Sequence, residues 1–345
     1  MSSIPLPHSS PSAAGKDEWR KVKTDERNLL LSTFGSENLH WGNVDWGIVG
    51  WMFLMHAGAL VGIVGLFTSY RAALFNWQSI GVMVFLHWLT CSVGVTMTLH
   101  RCLSHRSMKL RNPAKFFGLL SASLSGEGTP LHWAAVHRIH HQKSDQPGDP
   151  HSPNEGDWWS HILWTFTGRD SRLRPMMYRH MVPDLVQDKM MWFFEKAFTP
   201  ILFGSGILLY LIGGLPMLLW GMCVRMVFAY HSTWFVNSAT HMWGYRTYET
   251  TDRSRNLWWV AVFAYGEGWH NNHHAYPRLA RAGHKWWEVD PTWMLIKALR
   301  FVGQAYDVDD RLPEDLPVTK AGAPGDALQQ LRGQNKQPVP PVEAA

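Results

Sequence analysis

Four long apolar stretches constrain this chain more than any other feature. Trp46 to about Thr68, Leu74 to Leu99 and Phe198 to Trp220 contain no Asp, Glu, Lys or Arg, and Gly221 to Trp243 contains only Arg225. A helix of about 20 apolar residues crosses a bilayer. The breaks at Ser69–Ala73 and Gly213–Pro216 are short, so the stretches pair into two helical hairpins. The expected fold is an all-α membrane protein with four transmembrane helices, at about 46–68, 74–99, 198–220 and 221–243. Each hairpin returns to the side it left. The N-terminus, the long segment 100–197 and everything after 244 therefore share one face as a helical cap. Of the 32 Lys and Arg, all but Arg71 and Arg225 lie in those polar regions, and the positive-inside rule places them in the cytosol. Apolar residues 116–125 are too few to span and are expected at the interface. The mean hydropathy of −0.17 averages these two unlike parts.

The flanks read differently. Residues 1–45 open with Pro, Ser and Ala and turn charged from Lys16 to Arg27. No apolar h-region precedes the first span, which argues against a secretory signal. The Pro/Ser part is expected to be disordered, and the Pro- and Gly-rich tail 307–345 loose. An aromatic content of 13% excludes disorder for the chain as a whole.

Histidine is abundant and cysteine scarce, 19 against 3, which points to imidazole chemistry and away from thiolate sites or disulfides. Cys91, Cys102 and Cys223 lie in or beside spans and read as packing residues. Nine histidines fall into four groups at or beyond the polar ends of the spans: His100 and His105 in HRCLSH; His137, His140 and His141 in HRIHH; His241 in NSATH; and His270, His273 and His274 in HNNHH. On a helix, HxxHH turns three imidazoles to one face. His100 and His105 differ, because five residues of α-helix set two side chains about 140° apart. They converge only if the helix ends or bends there, or if they serve two metals. Nine imidazoles exceed the needs of one ion, so two metals are expected, from among iron, zinc, copper and nickel. A lone histidine is usually structural. His56, His87 and His231, inside spans, are expected as neutral hydrogen-bonded core groups, and His132, His151, His161, His180 and His284 as packing or hydrogen-bonding groups around the site.

HRCLSH, HRIHH and GEGWHNNHH resemble the three histidine boxes of the membrane-bound fatty acid desaturases. The spacing of boxes and spans agrees over roughly residues 46–300. DPHSPNEGDWWSHILW, NSATH and AYPRLARAGHKWWEVDPTW fit as well. The set resembles the first-double-bond, Δ9-type branch, especially its bacterial and cyanobacterial acyl-lipid members. The resemblance implies a desaturase domain over 46–306 in which His100, His105, His137, His140, His141, His241, His270, His273 and His274 bind two iron ions. Asn237 would join through a water. It implies insertion of a cis double bond with O₂ as co-substrate and two electrons from outside. Leu163 stands where the family usually has Gly, and Gly126–Glu127–Gly128 differs from the usual QGG or QND; both bear on acyl positioning. Metal-bound histidines usually donate their second ring N–H to a carboxylate. Glu127, Asp145, Asp149, Glu155, Asp157 and Glu267 are the candidates.

Of the 20 Trp, Trp41, Trp46, Trp243, Trp258 and Trp259 suit an interfacial belt. Trp133, Trp158, Trp159 and Trp164 flank the boxes and are candidate walls of an acyl tunnel. No GxGxxG fingerprint and no fused cytochrome b5 motif occurs, so a separate ferredoxin or cytochrome b5 is the expected donor. A net charge of +5 suits an acidic donor, but equally anionic lipid headgroups or the phosphates of CoA. Both acyl-CoA and acyl-lipid substrates stay open, and no nucleic-acid partner is expected. The expected location is a bacterial inner membrane, or a thylakoid or endoplasmic reticulum membrane in another source. Two rivals remain. A di-iron hydroxylase of fatty acids or alkanes would share the metal and stalk. A non-catalytic metal carrier would place its site nearer the bilayer midplane than these histidines lie.

Overall fold

The computed structural model describes residues 24–167 and 173–312. The expectations for the extreme N-terminus and for the tail beyond 312 lie outside these residues. Three helical stretches are long and apolar enough to cross a membrane: Trp46–Gly65, Arg71–Ser104 and Lys189–Met242. The first starts where the Asp45 carboxylate accepts the Ile48 N–H at 3.1 Å. It buries Met52, Met55, Ala59 and Gly62 against the other helices and leaves Phe53, Leu54, Leu60 and Val61 exposed. A helix satisfies its own backbone, so such apolar faces can meet lipid.

The third stretch is more than twice the length a crossing needs, and it is broken. Gly213 and Gly214 leave helical geometry, Gly214 with φ 64° and ψ −152°. A left-handed φ costs glycine little. Pro216 follows in the first turn of the new helix, where its missing N–H is not required. The break falls where the sequence placed it, but two boundaries differ. The helix begins at Lys189, not Phe198, because the Asp188 carboxylate caps the Met190 N–H at 2.8 Å. Gly221 lies inside the helix that follows the break, not at its start.

The second stretch changes its winding midway. Trp77–Trp88 is α-helical, and Leu89–Ser104 is a π-helix. Its backbone bonds join residues five apart. The Thr98 and Ser104 hydroxyls follow suit, donating to the Val93 and Leu99 carbonyls, each at 2.8 Å. Helix Asn112–Ser123 packs on this segment. A methyl at Gly94 would lie 2.5 Å from the Ala122 nitrogen. The apolar run expected at the interface is thus half committed: Leu119 and Ala122 are buried, while Phe116 and Phe117 are exposed.

The remaining described residues form short helices joined by loops. The ones that matter for the site are Pro130–Lys143, Asp157–His161, Trp258–Phe263, His270–Ala275 and Pro291–Phe301. A two-residue antiparallel pair, Lys109–Leu110 with Ala305–Tyr306, ties the segment after helix Pro291–Phe301 beside the end of the π-helix. One hydrophobic core runs through both parts: Leu99, Leu119, Leu131, Ile139, Met191 and Phe194 are fully buried in it. Trp41, Trp46, Trp243 and Trp258 are exposed, as an interfacial belt requires, whereas Trp259 is half-buried against Phe235.

Candidate metal centre

The nine box histidines meet in two adjoining groups. His100, His105, His137, His141 and His273 form one, and His140, His241, His270 and His274 the other; within each group one ring nitrogen per residue lies within 4.8 Å of the others. The π-helix answers the spacing problem in HRCLSH. His105 N–H donates to the His100 carbonyl at 3.1 Å, five residues back, and the ring centroids sit 4.7 Å apart. The helix also ends there, as the spacing allowed: Ser104 is its last residue and His105 caps it. Helix Pro130–Lys143 contributes His137 and His141 to the first group and His140 to the second. Helix His270–Ala275 divides likewise, with His273 in the first group and His270 and His274 in the second.

Carboxylates hold four of the rings by Nδ1. Glu267 lies 2.9 Å from His100 Nδ1, Asp149 3.0 Å from His140, Asp145 2.8 Å from His241 and Asp252 2.5 Å from His274. The contacts of His140, His241 and His274 are hydrogen bonds, and that of His100 is a close ion-pair contact; an Nδ1–H bond of this kind fixes the tautomer and leaves the Nε2 lone pair free to bind a cation. Three of the expected carboxylates are therefore in place. Glu127, Glu155 and Asp157 are not among them: Glu127 accepts from Thr233 and Trp133, Glu155 accepts from Ser36, and Asp157 starts the short helix Asp157–His161. Asp252 was missed, because a lone Asp in a polar loop carries no spacing signal.

The Nε2 atoms crowd together. His105 and His137 approach to 2.7 Å, His100 and His273 to 3.1 Å, His273 and His141 to 3.0 Å, and His241 and His270 to 3.1 Å. His140 Nε2 and His274 Nε2 are buried with no hydrogen-bond partner among the described residues. Burial first, then neighbouring imidazoles, holds His137, His141, His270 and His273 well below the usual imidazole range, so all four are neutral donors of a lone pair. A metal with nitrogens at about 2.1 Å and right angles would space them about 3 Å apart. The residues fit a pair of cations.

The other expected residues are spread around this centre. Trp133 stacks on His137 with ring centroids 5.1 Å apart, and its indole N–H donates to Glu127 at 3.3 Å. Trp159 is buried on the short helix, Trp158 is exposed, and neither ring touches the nine histidines among the described residues. Asn237 ends helix Arg225–Asn237, four residues before His241. Histidines within the spans are hydrogen-bonded, as expected, but only His87 is a buried core group, and His56 and His231 are half-buried: His56 Nε2 lies 3.3 Å from His231 Nε2, and His87 Nδ1 2.9 Å from the Tyr265 hydroxyl. The two asparagines of HNNHH are fully buried and point into the scaffold. Asn271 Oδ1 accepts the Thr247 and Tyr248 N–H groups at 2.7 and 2.8 Å.

The fatty acid desaturase family profile matches residues 75–307. The chain belongs to the fatty acid desaturase family. This desaturase is 41% identical over 281 residues, covering 81% of this chain and 97% of the relative, to the sn-1 stearoyl-lipid 9-desaturase of Anabaena variabilis. It is 40% identical over 270 residues, 78% of this chain and 81% of the relative, to the sn-1 stearoyl-lipid 9-desaturase of Synechocystis sp.. An acyl-CoA C20 Delta5-desaturase of Anemone leveillei is 38% identical over 251 residues, 73% of this chain and 80% of the relative. Similarity of this order thus extends across relatives named for different carriers and positions. The desaturase is an integral membrane oxidoreductase of lipid metabolism.

Proposed function

We propose that this desaturase inserts a cis Δ9 double bond into a saturated acyl chain carried on a membrane lipid, using two irons held by the nine histidines. The single observation that carries the reading is the division of those histidines into adjoining groups of five and four with converging nitrogens. The names of the Anabaena and Synechocystis relatives support the position and the lipid carrier. The balance is O₂ + 2 e⁻ + 2 H⁺ + –CH₂–CH₂– giving –CH=CH– + 2 H₂O. An unactivated methylene has no acidic proton, and a bound iron pair supplies the oxidising chemistry that side chains lack.

The chain's own residues orient and enclose. Glu267, Asp149, Asp145 and Asp252 keep four imidazoles in the Nδ1–H tautomer with Nε2 inward. Asn237, on the helix that leads to His241, would join through a water. Trp133, stacked on His137, is the wall that fixes which carbons meet the centre, and Trp158 and Trp159 are further acyl contacts. The break at Gly213–Gly214 supports four crossings in two hairpins, with the histidines on the cytosolic side of a bacterial inner, thylakoid or endoplasmic reticulum membrane. The electrons come from a separate ferredoxin or cytochrome b5.

Expression in a desaturase-deficient host, with fatty acid methyl esters read by mass spectrometry, tests the reaction. A cis Δ9 monoene should appear, first in intact glycerolipid, and His140→Ala should abolish it. A hydroxylated chain without an alkene would sink the proposal. Trp133→Ala should shift or blur double-bond position; unchanged position and yield would remove Trp133 from the acyl path.

A further inference from the structure

Glu288 and Asp290 lie two residues apart in the loop before helix Pro291–Phe301, and each is only 4% exposed. Buried carboxylates are costly unless paired. Their partners lead to the metal centre from two directions. Asp290 receives both Arg101 Nη groups, at 2.9 and 3.1 Å. Arg101 is 2% exposed and gives Nε and Nη2 to Glu267 Oε1 at 3.0 and 2.9 Å. The other oxygen of Glu267 meets His100 Nδ1 at 2.9 Å. Gly266, with φ 113°, leaves room for this arrangement, since a Cβ there would collide with the Asp290 carboxylate. Glu288 serves the third histidine box. Its Oε2 accepts the Asn272 amide at 2.7 Å and the His284 and Lys285 N–H groups at 2.7 and 2.9 Å, while Oε1 accepts the Tyr245 hydroxyl at 2.5 Å. Asn272 sits in the middle of helix His270–Ala275, which supplies both histidine groups.

We infer that Glu288 and Asp290 are positioning residues of the metal centre: Asp290 fixes His100 through Arg101 and Glu267, and Glu288 fixes the HNNHH helix through Asn272. The inference rests on the reading that the two histidine groups each hold an ion. It assigns the two carboxylates different reach. Asp290 also accepts the Ala282 and Trp293 N–H groups, but its charge faces Arg101, which leads to His100, a member of the five-histidine group only, so removing that charge in Asp290→Asn weakens one ion. His270, His273 and His274 serve both groups, so Glu288→Gln weakens two.

The test is anaerobic Fe(II) titration of iron-stripped, full-length protein in detergent against a chelator, with thermal midpoints recorded before loading. Wild type should take two ions. Asp290→Asn should keep one at wild-type affinity and lose about 10–100-fold on the other, and Glu288→Gln should lose on both. Should Asp290→Asn fail to fold, Arg101→Lys keeps the charge without the fork that bridges two carboxylates and should give the same one-site loss. Asp310→Asn, which breaks only the Arg300 surface pair, should change neither site. Variants that lose thermal stability but bind both ions as wild type does would overturn the inference alone. A wild type that takes fewer than two ions overturns the two-iron reading and this inference with it.

Discussion

Glu127 accepts hydrogen bonds from Thr233 at 2.8 Å and Trp133 at 3.3 Å, yet burial still pushes its carboxyl up to about 7. The folded protein therefore keeps a proton that the unfolded chain releases near pH 4.5. Stability falls as pH rises from there and levels off above pH 7, by roughly 3 kcal/mol at most. Glu127→Gln should remove that loss. Its thermal midpoint should exceed that of wild type at pH 8 and match it near pH 4.5; an equal difference at both pH values would mean that no buried ionisation is involved. At this scale the clustering of the histidines was legible and the carboxylates beside them only partly so. Nine histidines repeat at spacings that a helix can use, and repetition is visible in sequence. Asp252 and Asn272 act through loops, where contact follows from the fold and leaves no periodic trace. Glu127, one of six candidate partners for the histidine rings, holds Trp133 instead.

The π-helix Leu89–Ser104 is the element on which the first histidine box depends. HRCLSH hinted at it, because five-residue spacing does not suit an α-helix, but no residue in that stretch marks the change of winding. The apolar lengths and the Gly-Gly-x-Pro break were legible, since bilayer thickness and backbone sterics act locally. The start at Lys189 was not, because charged residues there extend the helix beyond its apolar part. Close packing holds the π segment in place. Gly94→Ala should push helix Asn112–Ser123 away and cost about 1–3 kcal/mol, since the neighbour is backbone and cannot rotate aside. Gly81→Ala meets open space and should not lower the thermal midpoint. Equal midpoints for the two variants would show that the close approach carries no stability.

Across the whole molecule, the chain gathers histidines from sequence positions 100 to 274 into one centre and keeps nearly all its Lys and Arg on the polar part. Such a charge distribution should steer an acidic electron carrier, and steering is screened by salt. Reduction by an acidic ferredoxin should slow several-fold between about 20 and 300 mM salt. A flat rate in stopped-flow measurements would leave donor docking to uncharged contacts. Long π segments are rare, because their hydrogen-bond geometry competes poorly with the α-form. Ions gripping His100 and His105 would favour the wide winding by mass action, as any ligand favours the state it binds. Amide hydrogens across residues 89–104 should then exchange more slowly in the loaded protein than in the stripped one. A membrane helix would thereby act as a gauge of iron supply, its tightness set by the metal at its end.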